Sequence, residues 1–201
     1  EGECGAEGDN VTWKLYSDGK LLISGEGRMA NYNRYGSPFY YNSEIKTVVV
    51  EDGVTSIGDC TFENDMFTNI TIPESVITIG DFAFCGCINL TNLTIPHSVT
   101  HIGEETFSCC TNLTSITTIP DSVTSIGKGA FRYCPALASI PVDKSNQYYS
   151  NDSYGVLFNK DKSQLIQYPA GCLETSYIIP NSVTKIGESA FYSCKNLTSV
   201  I

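Results

Sequence analysis

Short alternations of apolar and polar residues recur along this chain, and each is cut off in the same way. In Asn92-Leu93-Thr94-Ile95 the apolar side chains fall on every second residue, as in a strand with one face buried and the other in water. Pro96 then ends the ladder, because proline has no N–H to donate. Pro-x-Ser-Val reads as a turn, and Val-x-x-Ile as a second short extended piece. The glycine after that isoleucine suits a tight corner or a positive φ. Beyond it, Asp81-Phe82-Ala83-Phe84 predicts a single helical or 3-10 turn, with Phe and Cys side chains facing inward.

The whole cycle repeats. Ile-Gly falls at Ile57-Gly58, Ile79-Gly80, Ile102-Gly103, Ile126-Gly127 and Ile186-Gly187, in steps of 22, 23, 24 and 60 residues. Three residues before each isoleucine is a valine (Val54, Val76, Val99, Val123, Val183), and five after it a phenylalanine (Phe62, Phe84, Phe107, Phe131, Phe191). Four units also carry a proline six before and a cysteine eight after: Pro73 and Cys87, Pro96 and Cys110, Pro120 and Cys134, Pro180 and Cys194. Asp65 takes the cysteine's place in the first unit. A period of 20–29 residues carrying L-x-x-L-x-L is the signature of leucine-rich repeats. Here it reads Leu90-x-x-Leu93-x-Ile95, Phe67-x-x-Ile70-x-Ile72 and Leu137-x-x-Ile140-x-Val142. A single coil of this length buries too little apolar surface to offset the ordering of its own backbone, so neighbouring coils must stabilise one another. The pattern predicts an α/β-type repeat solenoid: a right-handed leucine-rich-repeat stack with a parallel β-sheet on one face and short helical or 3-10 turns opposite.

Two stretches depart from the period. Residues 1–44 lie outside it, and Val11–Tyr16 and Leu21–Ser24 flank an Asp18-Gly19 turn, which predicts a β-hairpin. Terminal units must cover the open end of a stack, so this segment is expected to be an N-terminal cap with Trp13 as its apolar anchor. Repeats of about 23 residues fill 45–201, with an irregular insertion at about 143–175 that lengthens one step to 60 residues. Two apolar runs around a polar turn in Tyr154–Tyr168 predict a second hairpin there. The chain stops inside a strand at Leu197–Ile201, an edge expected to be met by further chain or by a partner.

With the columns aligned, the unit Ile-Pro-x-Ser-Val-Thr-x-Ile-Gly-x-x-Ala/Thr-Phe-x-x-Cys-x-Asn-Leu-Thr is matched by Ile95–Leu113, Ile119–Leu137 and Ile179–Leu197. It resembles the BspA-like leucine-rich-repeat family over roughly residues 45–201. The opening Cys4-Gly5, Val11-Thr12-Trp13, Gly19 and Leu22-Ile23-Ser24-Gly25 resemble the N-terminal cap of secreted bacterial members, and the insertion resembles an irregular unit that such proteins carry. The resemblance implies a bacterial secreted or surface-attached protein, with adhesion to host proteins among its relatives' roles and no shared catalytic residues.

Composition narrows the partners. Twelve Lys and Arg against 22 Asp and Glu give a formal charge of −10, which repels phosphate backbones and anionic lipid, so no nucleic acid is expected. No stretch approaches the roughly 20 apolar residues of a membrane helix, so this segment is not expected to insert in a membrane. The sequence opens at Glu1 with no basic-then-apolar leader, so any signal peptide is expected to have been cut off or to lie outside this sequence.

Candidate chemistry is sparse. The column cysteines Cys87, Cys110, Cys134 and Cys194 are expected to be buried free thiols, and pairing of Cys4 or Cys172 is left open. Cys85-x-Cys87 and Cys109-Cys110 lack metal-ligand spacing, and the two histidines, His97 and His101, fall at turn positions. No metal, cofactor or catalytic residue is therefore expected. The Asn-x-Thr triplets, such as Asn89-Leu90-Thr91 and Asn112-Leu113-Thr114, follow the repeat and are read as corner asparagines bonding backbone. Two candidate ligand surfaces remain. One is the outward row that includes Asn92 and Thr94, and the other is the insertion's tyrosines, Tyr148, Tyr149 and Tyr154. The expected function is a secreted or cell-surface interaction module that adheres to a protein or glycan on a host or cell surface. The alternative is a structural spacer, a repeat arm of a larger surface protein with no ligand of its own.

Overall fold

A computed structural model describes residues 1–201. Eighteen short strands follow in chain order: β1 Gly2–Gly5, β2 Gly8–Leu15, β3 Lys20–Gly25, β4 Gly27–Arg28, β5 Thr47–Val50 and β6 Val54–Ile57. Then come β7 Asn69–Thr71, β8 Thr78–Ile79, β9 Asn92–Leu93, β10 His101–Ile102, β11 Ser115–Ile116 and β12 Ser125–Ile126. The last six are β13 Tyr149–Asn151, β14 Leu157–Asn159, β15 Gln164–Gln167, β16 Ser176–Tyr177, β17 Lys185–Ile186 and β18 Ser199–Val200. The chain is a β-solenoid in which each coil crosses two parallel strand rows and one row of turns. The first row runs β3–β5–β7 and is continued by the pairs β9–β11 and β16–β18. The second runs β4–β6–β8–β10–β12 and resumes as β15–β17. At the N-terminal end β2 and β3 form an antiparallel hairpin with β1 added outside it, and β3 then pairs in parallel with β5.

The turn row corrects the expected helical or 3-10 turn: no helix forms anywhere in the chain, and the stack is all-β rather than α/β. Two residues of every coil, three and seven after the repeat isoleucine, hold a positive φ. They are Cys60 and Asn64, Phe82 and Gly86, Glu105 and Cys109, Gly129 and Tyr133, and Ser189 and Ser193. A left-handed residue turns the backbone out of helical path. The N–H groups then point along the stack and bond the next coil, as from Phe82 to the Glu104 carbonyl (2.8 Å) and from Phe84 to that of Thr106 (2.9 Å). Intercoil bonds replace the intrahelical ones that the spacing suggests.

Of the two roles expected for the repeat glycine, a tight corner or a positive φ, the second does not occur. At Gly103 a Cβ would lie 2.5 Å from the Asp81 backbone nitrogen, and at Gly187 it would lie 2.7 Å from the Ile166 carbonyl oxygen. The column is glycine because consecutive coils touch there, and none of its φ values lies in the left-handed region.

Inside, each column stacks on itself. Phe39, Phe62, Phe84, Phe107 and Phe131 form a spine with ring centroids 5.4 Å apart for the first pair and 5.5 Å for the other three. Trp13 packs edge-on against Phe39 at 5.6 Å, which anchors the hairpin to the spine. All nine cysteines are free. Cys87, Cys110 and Cys134 donate S–H to the carbonyls of Phe62, Phe84 and Phe107 one coil back, at 3.0, 3.2 and 3.1 Å. Burial pushes the Cys134 thiol up to about 12. The serine of Pro-x-Ser-Val is a staple: Ser75, Ser98 and Ser122 bond the carbonyls of Val54, Val76 and Val99 at 2.8, 2.6 and 2.7 Å. Among the corner asparagines, Asn89 and Asn196 bond the preceding coil, whereas Asn112 is exposed. Glu63, fully buried, is neutralised by Arg34 at 2.7 Å, and the guanidinium also lies 5.0 Å from the Phe82 ring centre.

The insertion interrupts every one of these columns. β13, β14 and β15 form an antiparallel meander whose one strand pairing with the repeat is β15 with β17. The spine resumes as Tyr168 on the partly buried Phe191 at 5.5 Å, where Tyr168 joins Val156, Phe158, Leu165, Cys172, Tyr177 and Ala190 in a separate seven-residue core. The rest of the core is one cluster of 36 buried residues.

Candidate functional site

The expected site residues fall on two different faces. Asn92 and Thr94 are exposed on the first strand row, where Ser115 donates to the Asn92 side-chain oxygen at 3.0 Å. Tyr154 lies toward the same side: its neighbour Gly155 abuts Ser139 and accepts the Ile140 N–H at 3.0 Å. Its ring is edge-on to Tyr177 at 5.8 Å, so part of it covers the small core. Tyr177 in turn donates its hydroxyl to Asp152 at 2.7 Å, which ties the insertion to the C-terminal coils.

Tyr148 and Tyr149 belong to the second face. A groove of about 760 Å3 runs along β4–β12 there, lined by Arg28, Asp59, Thr78, Asp81, His101 and Ser125 among others. His101 is thus an exposed strand residue, with Thr100 Oγ1 2.7 Å from its Nδ1, rather than a turn residue. The acidic side chains of the groove are partly committed to the lattice, since Asp59 accepts the Asp81 N–H at 2.9 Å and Asp81 accepts that of Glu104 at 2.6 Å. At Gly127 the groove meets a second cleft of about 280 Å3, between β12 and the insertion. Tyr148 and Tyr149 line it together with Thr124, Lys128, Gln164 and Glu188. Tyr148 is 52% exposed. Tyr149 is half-buried, and its hydroxyl accepts the Ile126 N–H at 2.8 Å.

Sequence reasoning missed Lys128, Gln164 and Glu188. Lys128 and Glu188 each stand two residues after a repeat isoleucine, so their shared column was open to view, but the 60-residue step hid their proximity. No three or more His, Cys, Asp or Glu side chains gather in a way that could hold a metal ion.

The comparisons with known proteins agree with this geometry. The model of the BspA type leucine rich repeat region matches in six copies, over residues 34–156 and 170–201. The chain belongs to the BspA type leucine-rich-repeat family. Among solved structures, this family member is similar to a leucine-rich repeat protein from Eubacterium ventriosum, with 28% identity and a TM-score of 0.73, over 97% of this chain and 60% of that one. The pneumococcal vaccine antigen PcpA shares the fold at 20% identity and TM-score 0.61, with 91% of this chain and 60% of that one covered. So does a leucine rich cell surface protein from Faecalibacterium prausnitzii, at 24% and 0.58, with 95% and 70% covered. The chain thus spans about 60% of the length of the first two. No curated protein matches it.

Proposed function

We propose that this repeat stack is the ligand-presenting part of a secreted or cell-surface bacterial protein, and that it binds a protein or glycan on a host or neighbouring cell without turning it over. The observation that carries the reading is the second face: a polar groove whose side chains are held at fixed spacing by the intercoil lattice, ending in a cleft with exposed Tyr148. Rigid presentation lowers the ordering cost of binding, and family membership supports a binding role, since a stack of repeats offers extended surfaces rather than a deep catalytic pocket. The F. prausnitzii neighbour, described as a cell surface protein, supports the location. Tyr148 and Tyr149 are the contact residues of this proposal on the second face, and Asn92, Thr94 and Tyr154 are those it offers on the first.

The test is binding of the purified chain, at physiological salt, to immobilised extracellular-matrix proteins and glycans. Saturable binding to at least one of them is expected. A folded chain that binds none would leave it a spacer.

A further inference from the structure

The second strand row fails as a sheet at one place, between β12 and the insertion. In each regular coil the carbonyls on either side of the repeat strand accept bonds from the next coil. Ile77 and Ile79 accept from Thr100 and Gly103, and Thr100 and Ile102 accept from Thr124 and Gly127. The next pair, the carbonyls of Thr124 and Ile126, accept none, because β15 pairs with β14 and β17 instead. Both residues line the 280 Å3 cleft. The Ile126 N–H is taken by the Tyr149 hydroxyl, so an incoming peptide strand finds the edge's donor already occupied.

What is left is rich in acceptors. The two carbonyls and the Glu188 carboxylate face a ligand that must supply donors, while Lys128 offers the opposite charge; neither charged group is in a salt bridge. Opposite charges in one cleft favour a neutral guest over an anion. Tyr148 is held from behind: its N–H goes to the fully buried Asn146 at 2.8 Å, and its carbonyl accepts the Lys160 N–H at 2.7 Å. These bonds fix its backbone at the mouth of the cleft, and the half-exposed ring offers a flat face of negative π density against which polarised C–H groups pack. Many hydroxyl donors beside one flat C–H face is the chemistry of a sugar ring.

We propose that this cleft is a saccharide subsite for a neutral polysaccharide, whose flanking units run along the adjoining groove past Ser125, His101 and Thr78. The inference rests on the interaction-module reading and names its ligand class. Hexasaccharides of mannan, β-glucan and galactan are the probes, titrated calorimetrically into the purified chain, with the immobilised matrix proteins run in parallel. At least one hexasaccharide binds saturably, with affinity insensitive to ionic strength. Tyr148→Ala and Gln164→Ala each weaken it tenfold or more, while Tyr41→Ala, at a more exposed tyrosine outside the cleft, leaves it unchanged. Matching melting temperatures exclude misfolding of the variants. The saccharide proposal is overturned if no probe binds, if Tyr148→Ala binds as the parent does, or if affinity collapses with salt. Binding to a matrix protein with no saccharide bound overturns this inference and spares the broader reading; binding to neither overturns both.

Discussion

Asp65 stands where three other coils place a fully buried cysteine, and replacing it with asparagine isolates what a carboxyl costs in that position. Its side chain is completely buried, one oxygen accepts the Met66 N–H at 3.1 Å, and the other has no partner. Burial raises the carboxyl from 3.8 to about 8, partly opposed by backbone N–H groups of Met66 and Asn42. The folded chain therefore keeps a proton that the unfolded chain releases above the ordinary carboxylate range. The folded state binds more protons between these two values, so its stability falls as pH rises from about 4 to about 8 and levels off beyond. Each unit of pH in that window costs about 1.4 kcal/mol. Asp65→Asn removes the titration, so the stability difference, variant minus parent, should grow by about 3 kcal/mol between pH 5 and pH 7. Urea unfolding of both proteins at half-unit pH steps measures it, and other carboxylates cancel in the difference. A difference that does not change with pH would show that Asp65 is ionised in the fold, reached by water or by a cation, and would refute the reasoning.

Ser193 combines a positive φ of 63° with a buried hydroxyl that has no partner, whereas Gly86 fills the same position in an inner coil. Ser193→Gly should stabilise by about 1 kcal/mol, after the glycine's greater unfolded entropy is subtracted, and an unmoved or lowered urea midpoint would count against it. Cys109 has a lowered thiol pKa, because Cys85 hydrogen-bonds to it and Ser108 and Arg132 add to the effect against burial, whereas burial raises Cys194 to about 11. Iodoacetamide at pH 7 should alkylate Cys109 before the other eight cysteines, as peptide mass mapping would show; first labelling at Cys194 would contradict this. The 36-residue and seven-residue cores predict two unfolding steps. The fluorescence of Trp13, the only tryptophan, should change at higher urea than that of a Trp13→Phe, Phe191→Trp reporter, and coincident transitions would mean the insertion does not divide the stack.

The columns were legible because stacking places the same environment at the same phase of every coil, and burial then selects the same residue type: Val99, Ile102, Phe107 and Cys110 are each 1% exposed or less. The turn row was not legible for a related reason. Phe107-x-x-Cys110 has a spacing that one helical turn and a left-handed corner serve equally well. The φ signs that separate them sit on Phe82, Glu105 and Ser189, whose residue types announce nothing. Gly86, Gly129 and Asn64 hinted at left-handed backbone, but the two glycines do so at different phases, so no column of glycine emerged. The glycine column that did emerge reports the approach of one coil to the next.

The candidate site was half legible for a deeper reason. A regular coil leaves no free carbonyl in the strand row, since each strand satisfies its neighbour's and offers only side chains to the groove outside. A cleft with free carbonyls needs a failure of register, and the chain has one where the step lengthens from 24 to 60 residues. Composition drew attention to three of that segment's four tyrosines, Tyr148, Tyr149 and Tyr154. Only backbone pairing could separate Tyr149, which covers the Ile126 N–H, and Tyr148, which flanks the opening beside it, from Tyr154, which turns toward Tyr177 and the small core. Lys128 and Glu188 share a column but meet in the cleft only because the meander between them projects sideways instead of adding coils. The residues at the break are thus the ones whose neighbours the repeat does not dictate, and there the stack can specialise in a way that the regular coils, which repeat one environment, cannot.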